Sequence, residues 1–248
     1  MLFPASGFTK AQVVEYYIRV SRHLLPHLKN RPLTLKLYPK GIHGEAHYER
    51  DAPPYTPSWV QTAPVWRVSG SSQIHFILVN DLATLLWAAN LNNLEFHTFL
   101  AQAPRVDQPT MMVFDLDPGE EASVLQCAQV ALWIKPGLDA LRLRSFVKCS
   151  GSKGLHLYVP LNRTVSYEET QAFARRLSEM LAERHPHLVV SVMDKLVCKG
   201  KVFIDWSQNA AHKSTVCVYS LRATKLGASK HTRSEEHTSE LQSRSDLV

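Results

Sequence analysis

Residues 112–120 read MVFDLDPGE, an apolar run that contains two aspartates and ends in a Pro-Gly turn signal. Because side chains alternate across a strand, Asp115 and Asp117 project from one face, and Phe114 and Leu116 project from the other. Two carboxylates about 5 Å apart repel by roughly 3 kcal/mol at an effective dielectric of about 20, so both stay ionised only beside a compensating cation. The stretch predicts a strand with a divalent-metal site, or alternatively a solvated strand end that caps the next helix.

A third aspartate, Asp205, occupies the run KVFIDW at 201–206, which has the aromatic and β-branched character of a strand. Charge is disfavoured there by burial as well as by strand propensity. Three such aspartates predict a shared site for Mg²⁺ or Mn²⁺, since both ions prefer oxygen ligands. Two ions in such a site would activate a 3′-hydroxyl and stabilise a leaving pyrophosphate.

The run KCSGSKGLHLYVPL at 148–161 places a glycine-rich turn between two strands. The amides of residues 150–154, together with the hydroxyls of Ser150 and Ser152 and the ammonium of Lys153, could hold a phosphate group. The alternative is a plain hairpin turn with an exposed lysine. His156 and Tyr158 share one face of the following strand, so His156 is either a satisfied core residue or a phosphate contact.

Hydrophobic periodicity predicts a chain of alternating helices and strands. Residues 9–28 predict an amphipathic helix capped by Thr9, and residues 80–91 predict a second helix that opens on an Asn/Asp cap. Residues 101–109 resemble a linker. The segments predicted after the linker are strand 111–117, a helix to about 134, strand 143–149, strand 154–161, helix 166–184 and the strand-like runs VVSVM, KVFIDW and VCVYS. This alternation predicts a sheet covered by helices.

Bulk composition narrows the functional classes. The 248 residues are 45% hydrophobic and 20% charged, with no apolar run long enough to span a bilayer and no secretory signal pattern. Four scattered cysteines argue against a zinc knuckle and against a disulfide framework. We therefore expect a cytoplasmic protein without a membrane partner.

The last sixteen residues, RSEEHTSELQSRSDLV, follow no apolar period and resemble the conceptual translation of a sequencing adapter. Residues 233–248 are therefore expected to be a non-native tail on a C-terminally truncated domain, 1–232. The tail carries two basic and four acidic residues, so the net charge of +6 becomes +8 without it. A basic protein of this kind fits either a polyanionic partner or a small-molecule enzyme.

Four motifs, FDLDPGE, SGSKGLHLYVPL, VFIDWSQN and YSLRA, occur in this order between residues 114 and 223. From about residue 2 to residue 223 the chain resembles the polymerase domain of bacterial ATP-dependent DNA ligase D, of the archaeo-eukaryotic primase superfamily. The resemblance implies an α/β primase-type fold with an N-terminal α/β lobe at about 1–105. A catalytic sheet like an RNA-recognition motif would follow at about 106–232, with the active site in the cleft between them. It also implies location at the bacterial nucleoid.

The resemblance implies a metal-dependent nucleotidyltransferase that adds one or a few nucleotides to DNA 3′ ends during end joining and gap filling. It implies two Mn²⁺ or Mg²⁺ ions, NTP or dNTP substrates with a preference for ribonucleotides, and DNA with 5′-phosphate ends or gaps. Ku and the ligase domains of a parent chain are further implied partners. The alternatives are a de novo primase of the same superfamily, a non-catalytic DNA-end-binding module and a metal-dependent nuclease.

Matching motif positions imply the site residues. The implied metal ligands are Asp115, Asp117 and Asp205. The implied triphosphate ligands are Ser150, Lys153, His156 and Arg222, and the residues near the nucleotide sugar are His97 and Gln208. The implied DNA-binding residues are Lys10, Lys36 and Tyr48, the last by stacking on a template base.

Three departures from the family pattern bear on DNA-end binding and sugar preference. Lys36-Leu37 stands where the family has Lys-Arg, and His47-Tyr48 stands where it has Phe-Phe. Cys198 occupies a position near the nucleotide where arginine is common.

Overall fold

The computed structural model describes residues 9–67, 69–194 and 197–223, which fall into two units. The first contains residues 9–106 and 214–223, and the second contains residues 107–213. The family resemblance implies a division at about residue 105, and the boundary between the two units lies between residues 106 and 107. The predicted non-native tail at 233–248 lies outside the described residues.

The first unit is an antiparallel sheet with two helices. The helices are α1 (Lys10–Leu28) and α2 (Leu82–Asn90). The strands are β1 (Leu33–Leu37), β2 (His47–Glu49), β3 (Thr62–Trp66), β4 (Gln73–Ile77), β5 (Asn93–Phe99) and β13 (Ser214–Val216). The strand order is β13-β5-β1-β4-β3. Strand β4 pairs with β1 at Leu33, and β2 pairs with β1 from Leu35 to Leu37.

Helix α1 forms where its apolar spacing and its cap predict it. The Thr9 side chain accepts a hydrogen bond from the Gln12 amide at 3.3 Å, and Gln12 Oε1 accepts from the Thr9 amide at 2.8 Å. This capping box satisfies two of the amides that a helix start leaves unpaired. Val13 and Tyr17 on the inner face are fully buried in a core that includes Phe96 of β5.

The second unit carries the aspartate-bearing strand at the centre of its sheet. Its strands are β8 (Met111–Pro118), β9 (Phe146–Cys149), β10 (Leu155–Pro160), β11 (Val189–Val190) and β12 (Val202–Asp205). Its helices are α3 (Val124–Ala140), α4 (Tyr167–Arg184) and the single-turn 3₁₀ helix Trp206–Gln208. The order is β11-β12-β8-β10-β9, in which only β11 and β12 run parallel.

One face of this sheet is covered and the other carries the polar residues. Phe114 and Leu116 are fully buried in a core that includes Val130 of α3 and Ala174 of α4. Because alternate residues of β8 point to opposite faces, Asp115 and Asp117 project from the side away from this core. The predicted α/β arrangement, a sheet covered by helices, is confirmed.

Three local predictions from the sequence pattern are wrong. The predicted linker forms a two-stranded hairpin, β6 (Ala101–Gln102) with β7 (Arg105–Pro109). Helix α3 continues through Pro136 to Ala140, because Leu138 is fully buried in the core and helix packing outweighs the cost of proline. The strand-like run at 216–220 contributes to β13, which pairs with β5 in the first unit instead of joining the catalytic half.

No helix among the described residues is both long and apolar enough to cross a membrane.

Candidate active site

The face of the second sheet that points away from its helix-packed core carries a row of polar side chains formed by strand register. Asp115 on β8 is paired with His156 on β10 and with Asp205 on β12, and His156 is paired with Lys148 on β9. Directly opposed residues share a face, so these four side chains lie side by side across the sheet. Residues distant in sequence are therefore brought together, and we call these four the polar row.

Asp115 lies in the middle of the polar row. Its Oδ1 is 3.3 Å from His156 Nε2, and its side chain is largely buried. Asp117 lies two residues further along the same face, opposite Phe203, and is exposed where the strand ends. The two aspartates predicted from the opening motif therefore share one face but differ in solvation.

Asp205 is 4% exposed, and internal hydrogen bonds account for its burial. Its Oδ1 accepts from the Ser207 amide at 2.9 Å and from the Ser207 hydroxyl at 2.6 Å. Its Oδ2 accepts from Gln208 Nε2 at 2.9 Å, and Lys213 Nζ in turn donates to Ser207 Oγ at 2.7 Å. The burial of Asp205 therefore does not by itself require a metal ion.

The described residues contain no group of three or more His, Cys, Asp or Glu side chains arranged to hold a metal ion. Asp115 and Asp205 nevertheless face each other in register, and Asp117 shares their side of the sheet. Asp205 Oδ2 accepts one hydrogen bond, and a carboxylate oxygen has a second lone pair. This all-oxygen donor set fits Mg²⁺ or Mn²⁺, while the complete three-aspartate site stays a prediction.

The predicted phosphate loop is a tight turn held by the Ser150 side chain. Ser150 Oγ accepts from the Gly154 amide at 3.2 Å and from the Ser152 amide at 3.4 Å, and the Ser150 amide donates to the Gly154 carbonyl at 2.9 Å. Ser150 is buried, whereas Lys153 is exposed. Both side-chain bonds use the Ser150 oxygen as acceptor, so neither consumes its hydroxyl proton.

Two glycines allow backbone segments to approach each other closely beside the polar row. A Cβ on Gly154 would lie 2.1 Å from the Leu116 carbonyl oxygen, and a Cβ on Gly119 would lie 1.8 Å from the Cys198 carbonyl oxygen. The first contact presses the phosphate loop against β8. The second holds the Pro-Gly turn after β8 against the segment that contains Cys198, the position where the sequence departs from the family pattern.

A buried amide ties the 3₁₀ helix to β8. Asn209 is fully buried, donates to the Val113 carbonyl at 2.7 Å and accepts from the Val113 amide at 2.8 Å. Its Nδ2 also donates to the Trp206 carbonyl at 3.0 Å. The side chain therefore replaces a strand partner two residues before Asp115 and holds the Asp205–Gln208 segment in place.

Asn209→Ala is expected to lower the free energy of unfolding by roughly 2–4 kcal/mol, because it leaves the buried Val113 amide and carbonyl without their partner. Chemical denaturation followed by circular dichroism measures the change. The matched control is Asn162→Ala, at an exposed site, which should stay within about 0.5 kcal/mol of the unmodified protein. Equal stability of the two variants would contradict this role of Asn209.

In the first unit, a buried carboxylate joins several of the predicted residues. Glu95 is 0% exposed; its Oε1 is 3.2 Å from Lys36 Nζ and accepts from the Tyr38 hydroxyl at 2.8 Å. Its Oε2 is 3.0 Å from His97 Nε2 and 3.2 Å from Arg222 Nε. Lys36 is also the register partner of Glu95 across β1 and β5.

Burial alone would raise the pKa of Glu95. The hydrogen bond from His97, the charge of Arg222, the hydrogen bond from Tyr38 and the charge of Lys36 outweigh burial and lower the pKa to about 2. Burial lowers the pKa of His97 from its ordinary value and outweighs the opposite effect of Glu95. At neutral pH the glutamate is therefore ionised and the imidazole is neutral.

Tyr48 adjoins the same group of side chains. Its ring centroid is 6.1 Å from that of His97 in an edge-to-face arrangement, and Lys36 Nζ is 5.4 Å from the Tyr48 centroid. We call Glu95, Lys36, Tyr38, Tyr48, His97 and Arg222 the Glu95 cluster. It brings predicted DNA-binding residues together with predicted nucleotide-binding residues. Lys10 opens α1, and no hydrogen bond or ion pair to another described residue links it to this cluster.

Three structurally important residues, Glu95, Lys148 and Asn209, are given no role by the sequence analysis. Glu95 alternates with apolar neighbours in NLEFHTF and lies on the same face as His97, so the period-two pattern could have indicated it. Lys148 is a buried lysine within a strand, but only register with β10 shows that it faces His156. No local pattern indicates the two-sided bond of Asn209 to Val113.

Comparison with solved structures reveals a similar fold. The polymerase domain of Mycobacterium tuberculosis ligase D, in complex with DNA, superimposes with a TM-score of 0.85 at 36% identity. The match covers 90% of this chain and 80% of that one. A carboxylate-bearing sheet in a fold of this kind defines a polymerase-type nucleotidyltransferase.

The family model described as "LigD, primase-polymerase domain" matches residues 9–229. The chain is 38% identical over 224 residues to the multifunctional non-homologous end joining protein LigD of Mycolicibacterium smegmatis, and 35% identical over 230 residues to the bifunctional LigD of Bacillus subtilis. These alignments cover 90% and 92% of this chain but 29% and 36% of the relatives. The chain belongs to the LigD primase-polymerase domain family, as its four motifs predict.

Proposed function

We propose that this chain adds one or a few nucleotides to DNA 3′ ends in end joining and gap filling, with a preference for ribonucleotides and Mn²⁺. The observation that carries the proposal is the polar row, in which strand register places Asp115 between His156 and Asp205. The names of the relatives refer to non-homologous end joining, and the similar structure contains DNA.

In this proposal Asp115, Asp117 and Asp205 hold one or two divalent ions. Bound there, the ions would supply Lewis-acid stabilisation of the attacking 3′-hydroxyl and of the leaving pyrophosphate. The protein's own contribution is to orient the reacting groups and to place fixed charges beside them. Ser207 and Gln208 support this by orienting the Asp205 carboxylate.

Positive groups and hydrogen-bond donors would bind the substrate's phosphates. The proposed ligands are Ser150 with its hydroxyl proton, Lys153, His156 and Arg222. Gln208 and His97 would contact the nucleotide sugar. Lys36, Tyr48 and Lys10 would bind the DNA, with Tyr48 offering a base-stacking surface that is 53% exposed. Ku and the ligase domains of a longer chain are proposed partners.

The test is incorporation of a single nucleotide into a short gapped duplex with a 5′-phosphate. We expect extension with Mn²⁺, weaker extension with Mg²⁺ and none with EDTA, with ATP used more efficiently than dATP. A primer-free reaction with two nucleotides separates this activity from de novo priming. Absence of extension with either metal by a folded chain would contradict the proposal, and product release without primer growth would indicate a nuclease.

A further inference from the structure

The Glu95 cluster determines which atom of His97 faces a ligand as a hydrogen-bond acceptor. Glu95 is fully buried, and an ionised carboxylate can only accept hydrogen bonds. Its five close neighbours all present donors: the Lys36 ammonium, the Tyr38 hydroxyl, the His97 ring, the Arg222 guanidinium and the Ala223 amide. A carboxylate in these surroundings does not take up a proton near neutral pH.

The proton on the His97 ring must therefore reside on the nitrogen beside Glu95. Nε2 lies 3.0 Å from Glu95 Oε2, and a contact of this length to an acceptor requires an N–H. A neutral imidazole carries one proton, so Nδ1 has a lone pair. The structure gives Nδ1 no hydrogen-bond partner among the residues it describes.

An imidazole in this state selects the chemistry of its ligand. A lone pair on Nδ1 repels phosphate oxygens and accepts a hydrogen bond from a hydroxyl group. Arg222 contributes differently, because its Nε lies 3.2 Å from Glu95 Oε2. This ion pair orients the guanidinium, which carries five N–H donors in total and can therefore also bind an anion.

We propose that Glu95 is a positioning residue that presets His97 as an acceptor for a sugar hydroxyl of the nucleotide and orients Arg222 for its phosphates. The proposal rests on the proposed nucleotidyltransferase function. In this proposal Glu95, a residue outside the four motifs, controls recognition of the sugar. Glu95 touches no substrate itself. In this proposal it sets which nitrogen of His97 carries the proton, which a glutamate that only stabilised the fold would not need to do.

The first test is nitrogen-15 NMR of the histidine rings in the unmodified chain, with the His97 signals assigned from their loss in His97→Gln. Between pH 6.5 and 8 we expect His97 to show a protonated Nε2 and an unprotonated Nδ1. Adding ATP with Mg²⁺ should shift Nδ1, and an ATP analogue that lacks the contacted hydroxyl should shift it less. A protonated Nδ1 in the free chain, or equal shifts with ATP, 2′-deoxy-ATP and 3′-deoxy-ATP, would overturn the proposal.

The second test is kinetic and uses Glu95→Gln, which keeps the shape of the side chain and removes its charge. The test compares ATP with whichever of 2′-deoxy-ATP and 3′-deoxy-ATP lacks the hydroxyl that His97 contacts. The ratio of the KM for that analogue to the KM for ATP should fall about ten-fold in the variant, the equivalent of one hydrogen bond. His97→Leu should lower it similarly, because leucine has no atom that can replace Nδ1 as a hydrogen-bond acceptor. The double variant should be no worse than either single one, since both remove the same interaction.

The matched control is Asp139→Asn, which removes an exposed carboxylate paired with Lys135 and should leave the KM ratio unchanged. Independent, additive effects of the two cluster variants would overturn the proposal. The pH dependence of the KM ratio should shift in Glu95→Gln and should not shift in Asp139→Asn. Besides Glu95, the titratable and charged groups that face His97 are Lys36, Tyr38, Tyr48 and Arg222. If the unmodified chain adds no nucleotide, the proposed function fails, and the NMR titration alone decides the role of Glu95.

Discussion

Asp115→Asn is expected to lower the rate of nucleotide addition by roughly 10³-fold or more, since it removes a charge from the centre of the polar row. Asparagine keeps the shape of the side chain, so the sheet retains its packing and register. The loss is measured as single-turnover incorporation into the gapped duplex with saturating Mn²⁺. Binding of Mn²⁺, measured by electron paramagnetic resonance, should weaken in parallel.

The same substitution is expected to leave the free energy of unfolding unchanged or slightly higher. Asp115 and Asp205 face each other in register, and like charges directly opposite each other on a sheet are destabilising. A residue kept for catalysis often shows this opposition between activity and stability. A residue kept for structure would behave in the reverse way.

The matched control is Asp139→Asn on the exposed side of α3, which should leave both activity and stability unchanged. Full activity in Asp115→Asn would exclude Asp115 as a metal ligand and would remove the main support for the proposed mechanism. A large loss of stability accompanying the loss of activity would instead indicate that the carboxylate holds the sheet together.

Gly154→Ala is expected to damage both the phosphate loop and the stability of the second unit. The added Cβ would lie 2.1 Å from the Leu116 carbonyl oxygen and 3.1 Å from Pro118 Cδ, and backbone on a central strand cannot move away. The loop must therefore shift and lose the hydrogen bonds between Ser150 and Gly154. Overpacking of this kind costs about 1–3 kcal/mol.

Two measurements test this prediction: the midpoint of chemical denaturation and the KM for the nucleotide, which we expect to rise with the displaced loop. Gly137→Ala is the matched control, since its Cβ would meet only Leu177 Cδ1 at 4.0 Å. Within helix α3 it should be neutral or stabilising by up to about 1 kcal/mol. Unchanged stability and KM in Gly154→Ala would mean that the loop does not depend on close contact with β8.

Sequence reasoning succeeded where the determining interactions lie a few residues apart. The α1 helix and its Thr9 cap depend on residues three and four positions away, and both are present as predicted. The period-two pattern of β8 likewise predicted that Asp115 and Asp117 share a face. The four motifs were sufficient to indicate the family, because they combine residue type with order.

Sequence reasoning failed where pairing between distant segments decides the outcome. The hairpin at 101–109 has no local signal strong enough to distinguish it from a linker. Likewise, no local signal distinguishes β13, which pairs with β5, from a strand of the second sheet. Asp205 as a metal ligand stays a prediction, because hydrogen bonds from Ser207 and Gln208 account for its burial without an ion.

The sequence by itself determined most of the helices and strands, the shared face of Asp115 and Asp117, and the family, because these depend on periodicity, capping and ordered motifs. The tertiary structure alone decided that Asp115 lies between His156 and Asp205, and that Glu95 gathers Lys36, His97 and Arg222. The physical reason is that strand register and the partner of a buried charge are set by packing between segments far apart in the chain.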